Sequence, residues 1–120
     1  MTYKEVADLI KTIGIPFAYD HFVAGDPDNP APDPPFICFY YDDKSDDLAA
    51  DNTNYARIRP LTVELYTDNK DFTMEQTVEN ALNGAGLVFS RSESYIDTER
   101  MYMVAYMTEI VLTEEIKNNA

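Results

Sequence analysis

The chain has 120 residues, with 22 Asp and Glu against nine Lys and Arg, for a net charge of −13. That length suits one domain with a core of its own, and so acidic a surface repels a phosphate backbone, which disfavours specific binding of DNA or RNA. A single cysteine, Cys38, excludes an internal disulfide and fits a reducing compartment; no run approaches the roughly 18 apolar residues of a membrane helix, so a soluble, unprocessed chain is expected.

In chain order, Thr2 followed by Glu5 is a capping-box pattern, and Tyr3, Val6, Leu9, Ile10 and Ile13 recur at helical spacing before Gly14. A helix over about Tyr3 to Ile13 is expected. Phe17 to Val23 alternates weakly and reads as an edge-like strand. From Ala24 to Pro35 the sequence AGDPDNPAPDPP carries too many prolines for any hydrogen-bonded element, so residues 24–35 are an exposed loop. Phe36 to Tyr41 is an unbroken apolar strand. Residues 42–54, DDKSDDLAADNTN, are polar and acidic and read as a second long loop.

Ala56 to Thr67 is the third strand, with Leu61, Val63 and Leu65 alternating and Pro60 suggesting an edge or a bulge. Met74, Val78, Ala81 and Leu82 then fall at helical spacing. Asp71 or Thr73 caps this helix, Glu75 sits in its first turn, and Gly84 and Gly86 end it. Leu87 to Ser94 is a fourth strand, a turn spans Ile96 to Glu99, and Arg100 to Leu112 is the longest strand, followed by a polar tail at 113–120. The last two strands suit a hairpin, and the second helix suits a crossover between the third and fourth. The fold class expected is α+β: a single mixed, mainly antiparallel sheet with two helices on one face, in the order α-β-β-β-α-β-β. Residues 1–120 form one domain.

The last strand is apolar on both sides. Tyr102, Val104, Tyr106, Ile110 and Leu112 line one, and Met101, Met103, Ala105, Met107 and Val111 the other. Two helices on one face of a sheet cover only one of these, so the second must meet a loop, the N-terminal segment or another subunit.

Catalytic and metal constellations fail on residue count and spacing. The only histidine, His21, stands beside Asp20, and no nucleophile-elbow pattern surrounds any serine. One Cys and one His cannot fill a zinc site. A calcium loop starting at Asp43 would place Leu48 where a sharp turn wants Gly and Asn54 where a bidentate Glu belongs. No enzyme, metal or cofactor is expected.

The runs IPFAYDHF from Ile15, PPFICFYY from Pro34, LAADNTNY from Leu48, TVELYTDNKDFTMEQTVENALN from Thr62 and SYIDTERMYMVAYMTEIVL from Ser94 resemble the tail-completion, or tail-terminator, proteins of long-tailed phages and prophages of Gram-positive bacteria. The similarity runs from about Val6 to Leu112, and it rests on segment order, the VELYTDNKD strand-to-helix junction and the YIDTER turn. It implies a structural protein, assembled in the bacterial cytoplasm and placed in the virion tail. There it would form a ring, commonly a hexamer, that stops polymerisation of the tail tube and supplies the head-docking surface. The partners implied are further copies of itself, the tail tube protein and a head-completion or connector protein.

A closed ring needs two different adhesive faces on each protomer. Tyr102, Met103, Val104 and Tyr106 are candidates for interface or core, and Met107 is a further interface candidate. The candidates for the lumen or for tube contact are Asp42, Asp43, Asp46, Asp47 and Asp51, whose charge would keep DNA sliding. An alternative from another class is an acidic DNA mimic that inhibits a host nucleic-acid enzyme. A third, a small-molecule-binding module, has no convergent polar pocket to support it.

Overall fold

The computed structural model describes residues 1–23, 27–28, 31–42, 46–47 and 56–113. Helix α1, Tyr3–Lys11, begins at the expected capping box: Glu5 N donates to Thr2 Oγ1 at 3.1 Å, and Thr2 N donates to Glu5 Oε1 at 2.9 Å. Two donors that a helix start leaves orphaned are thereby satisfied. Gly14, at φ 88, turns the chain where few side chains are tolerated. Strand β1, Phe17–Tyr19, is shorter than expected and lies parallel to β2, Phe36–Tyr41.

Strand β3, Asp46–Asp47, falls inside the segment expected to be a loop. It pairs with the start of β4, Ala56–Thr67, placing Asp46 opposite Ile58 and Asp47 opposite Arg57. Two residues carry no period, which is why the strand left no trace in the hydrophobic pattern. Helix α2, Phe72–Gly84, is capped by Asp71, whose side chain accepts from Met74 N at 2.9 Å. It ends in a Schellman arrangement, with Leu87 N bonded to Leu82 O and Gly86 N to Asn83 O. Strands β5, Phe89–Ile96, and β6, Met101–Thr113, form the expected hairpin.

The sheet order is β1-β2-β4-β6-β5, with β3 beside β4, and every pair except β1–β2 is antiparallel. The class is the one expected, α+β with one mixed sheet. The element order gains β3, and the crossover through α2 skips a strand: β6 folds back between β4 and β5. Pro60 marks a local edge in β4. It lies in a central strand opposite Glu109, where the ladder on its other side lapses between Tyr41↔Leu61 and Asp46↔Ile58. The missing proline N–H therefore leaves no ladder acceptor unpaired.

Both helices pack on one face. Val6 and Ile10 of α1 and Val78 and Leu82 of α2 meet Ile37, Leu61, Val63, Leu65, Val104, Tyr106, Ile110 and Leu112, all buried. Each such side chain contributes roughly 1.5–3 kcal/mol by leaving water. The opposite sheet face carries no helix among the described residues.

Candidate assembly surface

Strand β6 separates the predicted interface residues by parity. Val104 and Tyr106 point inward and are 1% and 0% exposed, so of the two readings, interface or core, they take the core beneath α2 and are not interface residues. Tyr106 Oη donates to Glu79 Oε2 at 2.9 Å, and burial together with that carboxylate pushes the phenol well above its ordinary value. Tyr102, also inward, is half-buried against Tyr95, with ring centroids 4.9 Å apart. Met103 and Met107 lie on the outer face.

On that outer face the cover is uneven. Met101 and Met103 are half-buried and Ala105 is buried, whereas Met107 is 41% and Val111 46% exposed. In register beside them stand Thr62 and Ser90 against Met107, Pro60 against Glu109, and Ile58 against Val111. Val88, exposed just before β5, joins Pro60, Ser90, Met107 and Glu109 around an open depression of roughly 590 Å³. At the other end of the sheet the chain covers itself: Phe22, just past β1, meets Phe36 edge-on at 5.4 Å, and Phe36 stacks on Tyr66 at 4.9 Å. One end of the outer face is thus lined by the subunit's own aromatic side chains. The Met107–Val111 end is open.

A polar network fixes α2 to the edge strand β5 on the inner side. Glu75, 4% exposed, accepts from Lys70 and Arg91, and Glu93 of β5 accepts from the same two cations. Burial works against the charge on Lys70 and Arg91, but the carboxylates outweigh it and hold both above their ordinary values. The Lys70 hydrogen bond in turn holds the Glu93 carboxyl below its ordinary value. Arg91 and Glu93 also place charge on an edge strand, which discourages indiscriminate pairing with other sheets.

Of the acidic candidates, Asp42 is exposed; its N–H donates to Pro60 O at 3.0 Å and its carbonyl accepts from Arg59 Nη2 at 2.9 Å. Asp46 and Asp47 form β3, along the same half of β4. Asp43 and Asp51 lie outside the described residues. His21 Nδ1 is 2.8 Å from Asp20 Oδ2, and both side chains are exposed. Burial, reinforced by the Glu64 and Asp20 charges, raises the Cys38 thiol to about 11, so it is protonated at neutral pH. Among the described residues, no group of three His, Cys, Asp or Glu side chains is placed to hold a metal ion, and no helix is long and apolar enough to cross a membrane.

The fold has a counterpart among solved structures. It is similar to a chain from the "virion of native gene transfer agent (GTA) particle", with a TM-score of 0.52 over 93% of this chain and 89% of that one. Sequence identity is 15%. The likeness is one of fold. No protein-family model matches the sequence, and no curated protein does.

Sequence reasoning assigned too few residues to the half-open sheet face. Val88, Ile58 and Pro60 belong to it and were missed. Ile58 shares its side of β4 with Thr62, Glu64 and Tyr66, and that mixed row gives no apolar alternation to read.

Proposed function

We propose that this protein is a structural component of a phage-like particle: a tail terminator that assembles as a ring on the head-proximal end of a tail tube, stops tube growth and receives the head. The observation that carries this reading is the exposed apolar end of the outer sheet face, Val88, Met107 and Val111. A monomer gains nothing by leaving it open, whereas a second copy placed there removes it from water. The fold likeness to a virion chain supports the setting, and the resemblance of the segments from Ile15 to Leu112 supports the terminator role. Asp42, Asp46 and Asp47, gathered along one half of β4, are proposed to face the tube or its lumen, together with Asp43 and Asp51.

Electron microscopy of particles made without this protein tests the reading. Overlong tails and unjoined heads are expected; normal virions would remove the role. The acidic-mimic alternative predicts a different result, tight binding to a basic nuclease that weakens steeply with salt.

A further inference from the structure

A second depression, of about 430 Å³, lies on the outer face at the end away from Met107. Its floor is aromatic and apolar: Phe36 stacks on Tyr66 with planes 18° apart, Phe22 stands edge-on to Phe36, and Met101 lines the side. Its rim is acidic, formed by Asp20 and Glu99. His21 Nδ1, 2.8 Å from Asp20 Oδ2, orients the first of these carboxylates. A third acid, Glu64, accepts from Tyr66 Oη at 2.9 Å beside the aromatic pair. The thiol of Cys38, also in the lining, is uncharged at neutral pH and is itself held up in part by the Glu64 and Asp20 charges.

Aromatic faces ringed by carboxylates are the surroundings a guanidinium prefers. Its plane stacks on the rings while its fork reaches the acids, and it is less strongly hydrated than an ammonium. Several of this chain's described cations are engaged elsewhere. Lys4 is bound to Asp8, Arg59 to Tyr3 and the Asp42 carbonyl, and Lys70 and Arg91 to Glu75 and Glu93. Two copies at −13 each also repel one another. An acidic rim on a chain of net charge −13 draws a basic chain more strongly than a second copy, so charge complementarity favours an occupant of different sequence.

We propose that this pocket receives an arginine side chain from a basic segment of another protein. The inference stands apart from self-association through Met107 and Val111, which lie at the other end of the face.

The test is a nuclear magnetic resonance titration of the full chain with three Gly/Ser hexapeptides carrying two arginines, two lysines or two citrullines. The arginine peptide is expected to give saturable shifts at the Met101 methyl and at Phe22, Phe36 and Glu99. The lysine peptide should bind several-fold more weakly, and the citrulline peptide about tenfold more weakly than arginine. Glu99→Gln and Asp20→Asn should each weaken the arginine response about two- to fivefold. Both are at exposed sites, and Asn tolerates the left-handed backbone, φ 66, of position 20, so neither threatens folding. A Met107→Glu, Val111→Lys variant should respond as the wild type does. Shifts spread over the whole acidic surface, equal responses to arginine and lysine, or no saturation would overturn the proposal. So would the same shifts appearing when protein concentration alone is raised, because the occupant would then be a second copy.

Discussion

Glu75 is a carboxylate in the first turn of α2, a position that suits the helix dipole, yet it is buried and clamped between Lys70 and Arg91. Removing its charge leaves the partly exposed Lys70 and Arg91 with Glu93 as their remaining close carboxylate. Glu75→Gln is expected to cost about 2–3 kcal/mol, read as a lower urea midpoint at unchanged slope. Glu93 sets a pH dependence with a definite sign. Its folded-state value lies below the ordinary one, so its contribution is complete above the unfolded carboxylate value and is lost as pH falls through the folded one. Glu93→Gln should therefore flatten the stability profile below about pH 5, measured by urea melts at successive pH values. An unaltered acid limb would show that the cluster does not act as a clamp. None of this was legible in the sequence, because Lys70 and Glu75 lie 16 or more residues from Arg91 and Glu93, and all four look like surface charge until α2 is laid on β5.

Among the elements, β6 was the most legible. Its two apolar parities follow from a period of two, and the structure divides them as the pattern requires, one beneath the helices and one outside. Strand order was not legible, since local pattern says nothing about β6 passing between β4 and β5. Nor could it tell that the outer face is covered at Met101 and Met103 but open at Met107. Two predictions belong to this scale. The Met107→Glu, Val111→Lys pair should leave the urea midpoint within about 0.5 kcal/mol of wild type and abolish self-association in sedimentation velocity. A variant that still assembles would exclude this end as the contact. Gly86, at φ 75 with open space around it, completes the Schellman end of α2. Gly86→Ala should cost about 1 kcal/mol through backbone strain alone, seen as a lower thermal midpoint without a change of fold.

For the whole molecule, charge and apolar surface pull in opposite directions. At −13 per chain, copies repel through the solvent while the open end of the sheet attracts them at contact. Salt shortens the reach of the repulsion, to about 8 Å at 0.15 M ionic strength, and leaves the apolar contact in place. Raising ionic strength is thus expected to promote self-association, as followed by light scattering at fixed protein concentration. Association that declines with salt would point to ionic contacts. The solitary thiol adds a means of timing motion. Cys38 is the one cysteine in the chain, 5% exposed in the lining of the aromatic corner, so its alkylation reports how readily a reagent enters that corner. Counting modified molecules by mass against time then follows access to this region, slowed further by the raised thiol, with no engineered label, and a guest lodged there would slow the clock.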